Sequence, residues 1–230
     1  MKYKNLVIIG TSHIAKQSLR EVKAVIEKEK PDIIALELDK KRLYALMDRK
    51  KPRVSIYNIG RVGFKGFLFS LIGAWAEKKL GEIVGVSPGS EMKKAVRLAK
   101  KNKIKIALID QYIEITLRRF SETLSWKEKW NFFVDLFKAF ILRKKEIEFD
   151  LRKVPDEKVI RRLINKVKKR YPNIYKVLVE ERNMIMANNL NKLMEENEDK
   201  KIVAIIGAGH EKELVDLIKK PKISYSFSVG

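Results

Sequence analysis

Leu6-Val7-Ile8-Ile9-Gly10-Thr11-Ser12-His13 and Ile202-Val203-Ala204-Ile205-Ile206-Gly207-Ala208-Gly209-His210 share one pattern, an apolar run closed at once by Gly-x-x-His. Short apolar, β-branched runs bounded by turn residues read as buried strands. His13 and His210 are the only histidines in 230 residues, and each follows its strand by one short turn. The simpler alternative is two unrelated turns in which Gly makes the bend and His happens to follow. A shared site is favoured, because two imidazoles presented by equivalent turns would assemble a metal or acid–base centre.

Working outward, residues 18–29 place Leu19, Val22, Val25 and Ile26 on one helical face. Lys30-Pro31 ends that helix, since the residue before proline avoids helical backbone. Asp32 to Leu38 is a second strand, and Asp39 caps a helix running to about Arg49. Strand, helix and strand in this order form a right-handed parallel unit. Residues 51–63 read as loop, 64–80 as a buried or lid helix, and Ser90 to about Lys101 as an amphipathic helix. Ile104–Ile109 is a third strand, ending at Asp110, and 202–206 a fourth.

Between the third and fourth strands, from Ile113 to about Glu196, only helical periodicity is found, broken at Pro155 and Pro172. Trp126, Trp130, Phe133, Phe137 and Phe140 form an aromatic stripe at spacings of three and four. A final helix is expected over 211–219 and an edge strand over 223–228. The fold class is α/β: a mostly parallel central sheet of four or five strands flanked by helices. Residues 1–230 make one domain, with a helical, aromatic and basic insertion at about 113–172.

The chain is 45% hydrophobic, ample for a core, and contains no cysteine. Disulfides, thiolate metal sites and a Cys nucleophile are therefore excluded. A bound metal would rest on His, carboxylate and water, which suits Mn, Co, Fe or Zn. The uncharged run 67–76 is far too short to span a bilayer, and the N-terminus lacks a signal-peptide pattern, so a cytoplasmic protein without a transmembrane segment is expected. Lys plus Arg number 51 against 29 acids, a net charge of +22 that favours polyanions or an anionic membrane surface as partners. The aromatic stripe favours a homodimer, since a projecting helix would otherwise expose a large apolar patch.

Ligands of open α/β sheets sit beyond the carboxyl ends of the strands. With four parallel strands, His13, Glu37, Asp110 and His210 share that edge. Singly, Glu37 reads as a helix cap or ion-pair partner and Asp110 as a turn residue; together they make a nitrogen and oxygen donor set for a divalent metal. Such an ion would make a bound water nucleophilic near neutral pH. Arg42, Arg119 and Arg182 sit on helices close to these segments, and arginine holds carboxylate or phosphate in a fork. Gly207-Ala208-Gly209 fails the dinucleotide fingerprint, because position 212 is Lys.

Gly10-Thr11-Ser12-His13, Lys30 to Arg42, Pro88-Gly89-Ser90-Glu91-Met92, Leu108-Ile109-Asp110, Ile115 to Arg119, Glu181-Arg182-Asn183 and Gly207 to His210 resemble, in order, the motifs of the TraB/PrgY family. That family is related to the TIKI proteases and more distantly to erythromycin-esterase-like and ChaN-like proteins. The resemblance implies a metal-dependent hydrolase, most nearly a peptidase, acting on a peptide or small anionic substrate. His13, Glu37 and His210 would be metal or catalytic residues, with Arg42, Glu91, Asp110, Arg119, Glu181 and Arg182 lining the site. The family has Asp-Arg where this chain has Asp110-Gln111, so one cation of the site is expected to be missing or replaced. Many archaeal members continue into a hydrophobic region after this one, whereas the sequence stops at Gly230, so no membrane anchor is expected. The competing readings are a non-catalytic protein that sequesters peptides or anions and self-associates through its helical arm, and a polyanion-binding protein.

Overall fold

The computed structural model describes residues 1–11, 16–48, 89–142 and 157–220. His13, the expected helix at 64–80 and the expected edge strand at 223–228 lie outside these residues. Among the described residues five strands form one sheet: β1 (Lys2–Tyr3), β2 (Leu6–Thr11), β3 (Ile33–Leu36), β4 (Lys105–Leu108) and β5 (Ile202–Gly207). Their order across the sheet is β1-β2-β5-β3-β4. Four strands run parallel, and only the two-residue β1 is antiparallel, folded back on β2. The last strand inserts between the first two of the parallel set, so its end meets the ends of both.

Period-two alternation on the strands makes two core layers. On one face Leu6, Ile8, Ile33, Ala35, Ile202, Ala204 and Ile206 pack against α8 (Glu181–Glu195) and α9 (Ala208–Lys219). On the other, Ile34, Leu36, Val203 and Ile205 meet α1 (Lys16–Glu29) and α3 (Ser90–Lys101). Every residue of β5 is buried, as a strand covered on both faces requires. Asp39 caps α2 (Lys40–Met47) as expected, accepting from the backbone N–H groups of Lys41 at 2.7 Å and Arg42 at 3.0 Å.

Between β4 and β5 the described chain is helical: α4 (Ile113–Thr123), α5 (Trp126–Leu142), α6 (Glu157–Arg170), α7 (Pro172–Tyr175), a π-helical turn (Lys176–Glu180) and then α8. Ser125 and Glu128 form a reciprocal capping box at the start of α5. The other oxygen of Glu128, 1% exposed, accepts from Asn173 N at 2.7 Å and so also caps α7. One carboxylate thus ties the arm to the helix that enters the core, and these hydrogen bonds hold it ionised below its usual range against its burial. Trp126 and Trp130 are 83% and 69% exposed. Among the described residues no helix is long and apolar enough to cross a membrane.

Leu190 is fully buried between α8 and the sheet. Leu190→Ala is expected to destabilise by about 2–5 kcal/mol in urea unfolding, and Trp126→Ser by no more than about 0.5 kcal/mol. A reversed order would displace the core from this layer.

Candidate functional site

The strand ends bring three sequence segments to one place. Glu37 follows β3 directly, at the centre of a tight turn in which Leu38 N donates to Leu36 O at 2.7 Å. Asp110 lies two residues past β4, and Gly207 ends β5 and begins α9. Both acids are buried, Glu37 at 5% and Asp110 at 8% exposure. Burying two carboxylates side by side is costly unless a cation joins them.

Arg182 is that cation. Its Nη2 donates to Asp110 Oδ2 at 2.6 Å and also to Glu37 Oε1, while Nε reaches Asp110 Oδ1 at 3.1 Å. Its Nη1 donates to Leu178 O at 3.1 Å and stands 3.3 Å from His210 Nε2. Burial would lower the pKa of this guanidinium, but the charge of Glu37 and the hydrogen bonds of Asp110 raise it above its ordinary value. Burial would likewise raise Asp110, yet the fork from Arg182 and the charge of Arg42 hold it below the ordinary carboxylate range.

The preceding π turn helps to place Arg182. There the Glu181 N–H reaches back five residues to Lys176 O, so a helical turn gains a residue just before the arginine. On the far side of Asp110, Arg42 donates to Asp110 Oδ2 at 2.6 Å, to Asp39 Oδ2 at 2.7 Å and to Gln111 O at 3.2 Å. Asp39 Oδ2 also accepts from Ile113 N at 3.1 Å, so the cap of α2 starts α4 as well. Gln111 turns away, its amide donating to Thr116 Oγ1 at 2.9 Å. Arg42 and Arg182 are thus the two cations on Asp110.

Glu37 is oriented from its other oxygen, where Gly207 N donates at 2.5 Å. That places a carboxylate at the N-terminal end of α9, where the helix dipole favours negative charge. His210, in the first turn of α9 and 8% exposed, sets Nε2 3.3 Å from Glu37 Oε1. Its Nδ1 is 2.7 Å from Asn183 Oδ1. Gly10 serves close approach, not a bend: a Cβ there would crowd Ala208 Cα at 3.2 Å and force the Glu211 carboxylate aside. Among described glycines only Gly89 has a positive φ, so the reading that glycine makes the bend fails for Gly10, Gly207 and Gly209.

Of the residues named from sequence, Glu37, Asp110, Arg42, Arg182 and His210 form one connected cluster. Arg119 and Glu181 pair with each other at 2.7 Å, with the Arg119 side chain 40% and that of Glu181 15% exposed, and Glu181 is next to Arg182 in sequence. Glu91 is buried in the first turn of α3, beside core residues Met92 and Ala95. Asp39, Asn183, Glu213 and Tyr175 join the network without having been singled out for it. A cavity of about 740 Å3 runs from Gly10, Ala208 and Gly209 along α9 to Lys219, lined by Glu213 and by none of Glu37, Arg42, Asp110, Arg182 or His210.

Among the described residues no group of three or more His, Asp or Glu is arranged to hold a metal ion. The ligand set His13, Glu37 and His210 includes one residue outside them. The two described members do not fit an ion as they stand, because the Arg182 guanidinium touches Glu37 and faces His210 Nε2. A divalent cation on those atoms would lie against a fixed positive charge.

The chain matches the model of the TraB/PrgY/gumN family over residues 2–225. It is 37% identical over 218 residues to a protein of Methanocaldococcus jannaschii, covering 94% of this chain and 54% of the relative. TraB domain-containing proteins of Mus musculus and Homo sapiens are each 24% identical over 228 residues, covering 88% of this chain and 60% of the relative. The chain therefore spans a little over half the length of these relatives.

Arg182→Met removes the guanidinium from two buried carboxylates, leaving Asp110 to Arg42 and Glu37 to Gly207 N, and a loss of about 3–5 kcal/mol is expected. Arg119→Met, at a pair near the surface and screened by solvent, should cost far less. Asp110 is depressed in the folded state, so its stabilisation is complete above the ordinary carboxylate range and is lost as pH falls through its lowered value. The deficit of Arg182→Met in denaturant titrations should therefore narrow with acidification. A deficit independent of pH would remove Asp110 from the account.

Proposed function

The chain belongs to the TraB/PrgY/gumN family, and we propose that it is a hydrolase of amide or related carbonyl bonds in peptides or small anionic molecules. The observation that carries this reading is the contact of His210 Nε2 with Glu37 Oε1 and Arg182 Nη1 at the carboxyl ends of parallel strands. Nε2 takes a proton from a water as the water oxygen adds to the substrate carbonyl carbon. The imidazolium then donates to Glu37 Oε1, whose negative charge steadies it. Arg182 Nη1, released from Nε2, faces the developing oxyanion. Collapse of the adduct breaks the carbonyl bond to the leaving group, which takes the proton from Nε2.

In the metal-dependent form of this proposal, His13, Glu37 and His210 would hold a Mn, Co, Fe or Zn ion, which would supply an activated water. That form requires Arg182 to leave Glu37 and His210, so no step above passes through it. Self-association through α5 is also proposed, on the exposure of Trp126 and Trp130. Weak polyanion or anionic membrane-surface association is supported by a groove bordered by Lys158, Arg161, Arg162, Lys166 and Lys169.

Cleavage of a fluorogenic peptide mixture is expected to fall by roughly a hundredfold or more in His210→Ala and Glu37→Gln, with folding checked by circular dichroism. Elemental analysis with and without each added ion decides the metal-dependent form. Saturable peptide binding with no turnover in wild type, under any ion, would replace the hydrolase reading with a sequestering protein.

A further inference from the structure

Behind His210 runs a chain of polar groups, two of them buried and the third, Glu213, half-buried, that the proposed reaction does not touch. Asn183 is fully buried and Tyr175 is 2% exposed. Asn183 Nδ2 donates to Glu213 Oε2 at 3.0 Å, and the Tyr175 hydroxyl donates to Glu213 Oε1. Asn183 Oδ1 faces His210 Nδ1 at 2.7 Å. Three elements supply these groups: Tyr175 ends α7, Asn183 lies in the first turn of α8, and Glu213 and His210 are on α9.

The chemistry of this chain permits one direction of donation. An ionised carboxylate only accepts hydrogen bonds. Glu213 therefore requires the amide NH2 of Asn183 on its side, and the amide oxygen must point to His210. That oxygen also only accepts, so His210 Nδ1 must carry the proton. In a neutral imidazole the other nitrogen then holds the lone pair. Nε2 is the nitrogen beside Arg182 and Glu37. Burial, then the bond to Glu213, raises the Tyr175 pKa, which keeps its hydroxyl a donor.

We propose that Glu213, acting through Asn183, fixes His210 in the Nδ1–H tautomer and so makes Nε2 the proton acceptor of the site. Glu213 and Asn183 are positioning residues; neither touches the reacting atoms. The catalytic part of this inference rests on the hydrolase reading, while the tautomer itself does not. In a hydrolase triad of known mechanism, the wrong histidine tautomer lowers kcat by about 10⁴.

With two histidines in the chain, the tautomer can be read directly. Long-range 1H–15N correlation spectra of 15N-labelled protein distinguish protonated from unprotonated ring nitrogens, and His13→Gln assigns the His210 signals. The expected spectrum shows His210 protonated at Nδ1 alone at neutral or mildly alkaline pH. Glu213→Gln replaces the acceptor with an amide that can donate or accept, so Asn183 is free to reverse. A second tautomer should then appear, and kcat should fall about tenfold to a hundredfold with KM little changed, a partial form of the known tautomer effect. Asn183→Ala should give the same mixture. Tyr175→Phe removes a donor without altering the direction of Asn183 and should leave the tautomer intact.

Wild-type His210 protonated at Nε2 would overturn the proposal, as would a Glu213→Gln spectrum identical to wild type. If Asn183→Ala fails to fold, the wild-type and Glu213→Gln spectra still decide. The expected spectra without hydrolysis in any variant would uphold the tautomer device and reject the hydrolase reading alone.

Discussion

The guanidinium of Arg182 is the constraint around which the rest of the structure is arranged. It joins a carboxylate from the end of β3 to one from beyond β4 and faces a histidine from the helix after β5. A buried ion pair of this kind adds little net stability, because desolvation consumes much of the attraction. Its consequence is geometric. A planar fork with several donors can serve two carboxylates and a carbonyl at once, which a lysine ammonium on a flexible stem cannot do in the same fixed directions. Three loops that would otherwise be independent therefore share one arrangement.

That arrangement draws on the helices between β4 and β5. Glu128 caps α5 and α7 together, which fixes how the chain enters the π turn, and the π turn sets the rotation at which Arg182 leaves its helix. On the other side, Asp39 caps α2, holds Arg42 and receives the first N–H of α4. Each of these acids satisfies several donors at once. The donors of the helix ends and the cations of the site are thus held by the same few carboxylates, so a change at a cap is felt at the cluster.

The strands and their terminal acids were legible because burial on both faces leaves near-continuous apolar runs, and the residue that breaks such a run stands out. Glu37 and Asp110 were found this way and His210 from the Gly-x-x-His that closes its strand, and the four-strand parallel edge followed from the connections between them. β1 was not legible, since two residues carry no period. The first turn of α9 was also missed. Gly207-Ala208-Gly209 reads as a bend, while in the folded chain Glu37 accepts from Gly207 N in place of a side-chain cap. Asn183, Glu213 and Tyr175 escaped for a different reason. Each lies on a helix with an ordinary amphipathic pattern, and their meeting depends on how α7, α8 and α9 are rotated against one another, which no single-helix period encodes.

The charge of the cluster indicates what it is built to receive. Three carboxylates, Glu37, Asp39 and Asp110, are linked by hydrogen bonds to two guanidiniums, those of Arg42 and Arg182. With His210 neutral, these five side chains by themselves carry one net negative charge. A proton arriving on Nε2 neutralises it, at a nitrogen already beside Glu37. A divalent ion would instead invert the sign while pressing on Arg182. Among side chains this buried, Coulomb terms are large, so the first change is favoured unless a substrate brings an anionic group of its own. On the hydrolase reading proposed above, the cluster is matched to holding one proton on His210 Nε2 beside Glu37. An ion becomes compatible only when Arg182 turns from the two strand-end carboxylates to a new partner.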